Sequence, residues 1–314
     1  MAVRVAVTGA SGFVGGRVAN RLRAAGHSVF AYGRRPAREL STPQPDYASW
    51  DIATTAIVAP PVDAVVHCAA LVGDWGPDEA YEAANVEGTR NVARSFGSTT
   101  RMVYVSTSSV YSDDVAKVRV EESASTGECR HAAYGRSKAR AEAVVREAWP
   151  SAVILRPHIV YGPGDTTLLP RVLASIRMGC LPVPGRGDNL LSVTHVDNLA
   201  IAVECALRDA SGGGAFNVSD ADTVSVDALL RTVLARIGVA ARLVYLPREV
   251  AWGAATLLER VWPSTEVPRG PPLTRYVVGQ LADEHTLDIT RACTVLGYVP
   301  RWTYRDGPLD LSMA

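Results

Sequence analysis

A chain of 314 residues with no formal net charge at pH 7, 47% hydrophobic and 20% charged, has ordinary globular composition. Its length suits one large α/β domain or a core domain carrying a smaller lobe. The balanced charge leaves no electrostatic footprint for nucleic acid, and no apolar run reaches the ~18 residues a membrane helix needs. In chain order, Val3–Val7 is a short β-branched run, the pattern of a strand buried on both faces. "GASGFVGGRVANRLRAAG" follows, with Phe13, Val14, Val18 and Leu22 at helical spacing and Gly26 as a stop. "HSVFAYG" then predicts a second strand, completing a βαβ unit of about 30 residues.

The alternation continues. "DAVVHCAA" (63–70) predicts a strand, 79–96 a helix, "RMVYVSTSS" (101–109) a strand ending in hydroxyls, 134–149 a helix, and "AVILRP" (152–157) a strand that proline terminates. Strands alternating with helices imply an α/β, Rossmann-type, doubly wound parallel sheet. Pro/Gly punctuation thickens from "YGPGD" (161–165) onward, which predicts a smaller, mostly C-terminal substrate lobe. The expected division is 1–160 for dinucleotide binding, with 190–220 returning to it, and 161–189 plus 221–314 for the lobe.

"TGASGFVG" sets Gly9, Gly12 and Gly15 at GxxGxxG spacing between a strand and a helix. Gly9 permits the tight turn, Gly12 lets a pyrophosphate approach the helix N-terminus, and Gly15 allows helix to pack on strand. Ser11, Phe13 and Val14 complete the turn. An acidic residue at the end of the second strand would bond the 2′-hydroxyl of NAD. Here the strand ends "AYGRRP", and the guanidinium groups of Arg34 and Arg35 suit a 2′-phosphate. The expected cofactor is therefore NADP(H), with NAD(H) less favoured.

Lysine occurs only at Lys117 and Lys138 in an arginine-rich chain. Lys138 stands at i+4 from Tyr134 in "YGRSK", so the two share one helix face. An ammonium beside a phenol is expected to lower the phenol's pKa toward working pH. Such a phenol can exchange a proton with a carbinol oxygen while hydride moves to or from a nicotinamide. A hydroxyl from "VSTSS", at the end of the preceding strand, would hold the same oxygen.

These motifs together resemble the extended short-chain dehydrogenase/reductases over nearly the whole chain. The marks are "TGASGFVG" (8–15), "WDI" (50–52), "HCAA" (67–70), "NVEGTRNV" (85–92), "VSTSSVY" (105–111), "YGRSK" (134–138), "LRPHIVYGPGD" (155–165) and "VTHVDN" (193–198). The resemblance implies that Asp51 and Ile52 lie near adenine. It places Cys68, Ala69, Ala70 and Ser106 along the cofactor, and Pro157 and Ile159 near the nicotinamide. It puts Thr107 at the catalytic hydroxyl, with Ser108 as the alternative register. The C-terminal segments are similar to the 3β-hydroxysteroid dehydrogenase-like branch and to bacterial relatives that reduce long-chain β-keto acids. In that branch "VAWGAATLLERVW" (250–262) reads either as an apolar wall over a ligand or as ordinary core.

Ser108 and Ser109 stand where sugar-nucleotide dehydratases carry an Asp-Glu pair, which argues against dehydration. Ile159 stands where epimerases carry an Asn that contacts a diphosphate, which argues against a nucleotide-sugar substrate. The leading expectation is thus an NADP(H)-dependent ketoreductase or secondary alcohol dehydrogenase for a fairly large apolar ketone or alcohol. Two other readings remain: a nucleotide-sugar epimerase retaining NAD, and a non-catalytic NADP(H)-sensing protein, a class that usually lacks the Tyr/Lys pair. His158 borders the expected substrate pocket, His67, His195 and Asp197 read as structural, and Asn85 as ordering the active-site region. Five scattered cysteines without a CxxC predict a reducing, cytoplasmic setting and no metal site. "MAVRVAVTG" enters a strand at once, so no signal peptide is expected. The resemblance also implies a homodimer through a helix pair that includes the Tyr/Lys helix.

Overall fold

The computed structural model describes residues 2–40, 44–129, 131–209, 212–262 and 270–309. The first part of the chain forms β1 (Arg4–Thr8), α1 (Phe13–Ala24), β2 (Ser28–Gly33), β3 (Tyr47–Ser49) and β4 (Ala64–His67). Next come α2 (Asp78–Tyr81), a π-helical turn (Glu82–Glu87), α3 (Gly88–Phe96), β5 (Arg101–Val105), α4 (Ala133–Ala148) and β6 (Val153–Pro157). The remainder is β7 (Val160–Tyr161), α5 (Leu168–Ser175), β8 (Cys180–Pro184), β9 (Leu190–Leu191), β10 (Thr194–His195), α6 (Val196–Arg208) and β11 (Gly214–Val218). After these follow β12 (Val224–Ser225), α7 (Val226–Arg236), β13 (Arg242–Leu246), α8 (Arg248–Val261), α9 (Arg275–Ala282) and α10 (Thr290–Val295).

Seven strands make one parallel sheet in the order β3-β2-β1-β4-β5-β6-β11. Side chains alternate across a strand, and β1 shows the result. Val5 and Val7 join a cluster with Val18 and Leu22 of α1, Leu199 and Val203 of α6, and Phe216. Ala6 joins the opposite cluster with Val92, Met102, Tyr104, Ala141 and Val145. Both faces are therefore covered, which is why β1 reads as a continuous apolar run. Arg17 of α1 and Asp197 of α6 form a salt bridge between helices far apart in sequence.

The lobe is assembled from strand pairs, β10 with β7, β12 with β9 and β13 with β8. They close over a separate cluster that includes Tyr161, Leu169, Leu181, Val193, Leu230 and Leu243. Ala292, Leu296 and Tyr298 pack into the sheet's own cluster, because α10 lies against β11. Two predicted elements differ. The helix over 79–96 is interrupted by the π turn, and the strand over 101–109 ends at Val105. Beyond it the Thr107 hydroxyl accepts a bond from the Ser109 N–H at 3.2 Å and starts a 3-10 turn at Ser108–Val110. Short hydroxyl side chains offer the backbone such an alternative to the ladder.

Candidate active site

The order of strands reverses between β1 and β4, the place where doubly wound sheets bind ligands. Backbone meets backbone there. A Cβ on Gly15 would lie 2.2 Å from the Gly9 carbonyl oxygen, and one on Gly9, whose φ is +73°, would lie 2.7 Å from the Ala69 nitrogen. Helix α1 starts after Gly12 with no side-chain cap and no acidic residue in its first turn. Its first N–H groups are thus left for an anion. Ser11, Phe13, Val14, Cys68, Ala69 and Ala70 are all half-buried around this turn. The cradle fits the pyrophosphate of a dinucleotide.

Beneath it, His67 ties the strand ends together, meeting Thr8 at 2.7 Å and Thr89 at 3.0 Å. Gly33 lets Ser11 approach the end of β2, since a Cβ there would lie 2.4 Å from the Ser11 hydroxyl. Arg34 and Arg35 follow directly and are exposed. Their carbonyls accept bonds from Ser49 and Tyr47. Asp51 caps its own turn through the Ala53 N–H, and Ile52 is buried under α3, with its carbonyl held by Asn91.

Tyr134 and Lys138 stand on the first turns of α4. Gly135 explains how the phenol reaches the end of β5. A Cβ at that position would lie 2.2 Å from the Ser109 carbonyl oxygen, so only glycine allows α4 to touch the hydroxyl turn. The Thr107 hydroxyl stands beside the Tyr134 phenol. Thr107 donates to the Ser109 hydroxyl at 3.1 Å. Lys138 is almost fully buried, donates to the Val105 carbonyl at 2.7 Å and lies 4.0 Å above the Tyr104 ring. Asn85, in the π turn, bonds the Leu71 N–H at 2.7 Å and the Ser137 hydroxyl at 2.9 Å, joining the β4 loop to α4.

The electrostatics differ from the sequence expectation. Burial, then the neighbouring Tyr276, pushes the Tyr134 phenol well up, and the adjacent Thr107 hydroxyl offsets only part of this. Burial likewise pulls the Lys138 ammonium down to about 7 against the attraction of Glu142 and Cys68. Desolvation, which favours the neutral form of each group, outweighs any lowering of the phenol by the ammonium.

Other expected residues fall in several places. Ser106 spends its hydroxyl on Glu142 at 2.6 Å, within a buried pair between Glu142 and Arg156. Ser108 bonds the His158 ring at 2.7 Å, and His158 stacks on His285 at 4.0 Å. Pro157 ends β6, and two residues on, Ile159 holds a left-handed φ of 38°. A β-branched residue in that conformation is a strained outlier. His195 caps α6 by accepting the Asp197 N–H at 3.2 Å.

Residues 5–219 match the model of the NAD dependent epimerase/dehydratase family. The chain belongs to this family. The extended short-chain dehydrogenase/reductase expectation therefore holds, and the doubly wound sheet is its fold. The chain is 32% identical over 324 residues to a 2-alkyl-3-oxoalkanoate reductase of Stenotrophomonas maltophilia (strain K279a), covering 97% of each chain. It is 31% identical over 315 residues to a 4-hydroxy-2-methyl-3-oxo-4-farnesyl-3,4-dihydroquinoline-1-oxide ketoreductase of Stigmatella aurantiaca, covering 97% of this chain and 94% of the other. Among solved structures it resembles MoeE5 in complex with UDP-glucuronic acid and NAD, at TM-score 0.71 and 23% identity over 97% of this chain and 96% of that one. That last likeness concerns the fold alone. With reductases as full-length relatives, this epimerase/dehydratase-family member is an oxidoreductase of the short-chain dehydrogenase/reductase type.

In this family member the lobe adds a residue the sequence reading missed. Tyr276 of α9 places its hydroxyl 2.8 Å from Ser109, beside the Thr107 and Tyr134 hydroxyls. No local spacing announces it, because it lies far along the chain from every motif of the sheet. Gly135 lies within "YGRSK", and its one signal in the sequence is that glycine is a poor choice inside a helix. Among the described residues, no helix is long and apolar enough to cross a membrane.

Proposed function

We propose that this chain is an NADP(H)-dependent ketoreductase acting on a fairly large, apolar 3-oxo compound. The observation that carries the reading is the convergence of Thr107, Tyr134 and Lys138 beside the glycine cradle. When bound, the nicotinamide supplies or takes the hydride. Tyr134, kept protonated by burial, acts as the acid toward the ketone oxygen, and Thr107 hydrogen-bonds that oxygen. Lys138, from the same helix face, holds the nicotinamide ribose. Ser108 and His158 border the substrate.

Three features support the finer parts. Arg34 and Arg35 form no ion pair among the described residues, whereas Arg4, Arg17, Arg21, Arg156 and Arg171 all do. Exposed, unpaired guanidinium groups at the end of β2 suit a 2′-phosphate. Ile159 keeps an apolar side chain in a conformation that asparagine would adopt more easily, which favours an apolar ligand over a nucleotide sugar. The full-length relatives named as reductases act on 3-oxo compounds by their names.

The test is NADPH oxidation, followed at 340 nm, against 2-alkyl-3-oxo acids, steroid ketones and polyketide ketones. Tyr134→Phe should lower kcat by about 10²–10⁴-fold and leave NADPH binding by fluorescence unchanged. Equal turnover in that variant would remove Tyr134 from the chemistry. NAD retained through purification, with no ketone reduced, would favour the epimerase reading instead.

A further inference from the structure

Thr107 has one proton to give. Its oxygen already accepts the Ser109 N–H at 3.2 Å, and its hydroxyl points at the Ser109 hydroxyl, 3.1 Å away. In that direction it offers nothing to a ketone oxygen. The Ser109 hydroxyl in turn meets the Tyr276 hydroxyl at 2.8 Å, where either group can donate. Three hydroxyls thus run in a chain from the catalytic turn into the lobe.

The chain can be polarised either way. A phenol is a stronger donor than an alkyl alcohol, since its pKa near 10 is far below that of serine or threonine. The favoured direction, once an acceptor stands at Thr107, runs from Tyr276 to Ser109, from Ser109 to Thr107, and from Thr107 to that acceptor. Each hydroxyl then donates one bond, and Thr107 accepts from both the N–H and the hydroxyl of Ser109.

The position of Tyr276 is over-determined. The preceding Thr274 caps α9 by accepting the Val277 N–H and donates to Asp74, which pairs with Arg171 of α5. Arg275 binds Glu259 of α8 through its N–H and its guanidinium, both at 2.6 Å. Ser109 is equally fixed, with its carbonyl packed against Gly135 and accepting from Cys129 at 3.1 Å. Groups held this firmly need little reorganisation on reaction.

We infer that Tyr276 is a positioning residue, which acts through Ser109 to turn the Thr107 hydroxyl toward the substrate's ketone oxygen. The substrate lobe thereby supplies the far end of the hydrogen-bond chain. The inference rests on the ketoreductase reading.

The experiment compares Tyr276→Phe, Ser109→Ala and the double variant with the wild type. Steady-state kinetics use a ketone that the wild type reduces; NADPH binding and thermal melting are measured alongside. Each single variant should lose roughly ten-fold in kcat, the size expected for one neutral hydrogen bond. KM, NADPH affinity and melting temperature should stay near wild type. The double variant should lose no more than either single one, because both break the same chain. Unchanged kcat in either single variant, or losses that multiply in the double, would overturn the inference. If Tyr276→Phe melts early, Ser109→Ala decides alone by its kcat against its KM. A wild type that reduces no ketone instead defeats the underlying function, a result distinct from an active wild type with indifferent variants.

Discussion

The sheet half and its seam with the lobe treat buried histidines differently. His67, at the end of β4, is bonded through both ring nitrogens, to Thr8 and to Thr89. His158 and His285 stack on each other at the seam, and each leaves its Nε2 without a hydrogen-bond partner among the described residues. Ile159, with its left-handed backbone, stands next to His158. The sheet's histidine is satisfied at both nitrogens, whereas the two at the seam each leave one unmet beside a strained backbone. Such costs persist where function holds a local geometry in place. In the proposed function, the contrast separates a rigid cofactor platform from the surface that would select the substrate.

The largest effect should come from the platform. Glu142 and Arg156 are both buried and pair at 2.7 Å, and Ser106 adds a bond to the same carboxylate. Burial alone would raise Glu142, yet Arg156 and Ser106 hold it below the usual carboxylate value. Removing one partner strands a buried charge, so Glu142→Gln should cost about 3–5 kcal/mol in urea unfolding. A cost below about 1 kcal/mol would mean that the platform is not rigid in the sense argued.

Acid pH probes both regions together. Burial, with a smaller contribution from Lys138, drops His67 to about 3; burial, then Lys117, drops His158 to about 3, and burial places His285 well below its usual value. An unfolded histidine takes a proton near pH 6.5, whereas the folded His67 and His158 do not until near pH 3. Their stabilisation is therefore complete above pH 6.5 and is lost as pH falls through the window from 6.5 to about 3. The slope should reach up to about 1.4 kcal/mol per pH unit for each histidine. Urea midpoints measured between pH 7 and 5 check this, and His285→Gln should make the slope shallower.

The smallest effect should be confined to the cofactor. Replacing Arg34 and Arg35 by alanine should raise KM for NADPH about ten-fold, or about 1.4 kcal/mol, and leave KM for NADH and for the ketone unchanged. A parallel change in the ketone's KM would break the separation of platform from selecting surface.

Much of the platform was legible in the sequence because its signals are local. Continuous apolar strands, the glycine turn and the i,i+4 pair each lie within one element and its neighbour, and geometry at that range follows from residue type. The hydroxyl turn was less legible. Thr107, Ser108 and Ser109 are near-identical as symbols, yet they face Tyr134, His158 and Tyr276 respectively. The packing of α10 on the sheet's core was not legible, because an apolar helix does not say which of two cores it will join.

The amino-acid sequence by itself determined the alternating β/α order, the phosphate cradle and the shared face of Tyr134 and Lys138. It also singled out the two lysines, and both are spent on backbone carbonyls, Lys117 on Tyr111 and Ser112, Lys138 on Val105. Only the tertiary structure decided that Gly135 seats α4 against Ser109, and that Tyr276 arrives from the lobe. It decided too that burial, rather than the nearby ammonium, governs the Tyr134 phenol. The physical reason is range. Periodicity and backbone freedom act between near neighbours in the chain, whereas close approach, desolvation and hydrogen-bond direction depend on atoms brought together only when the chain is folded.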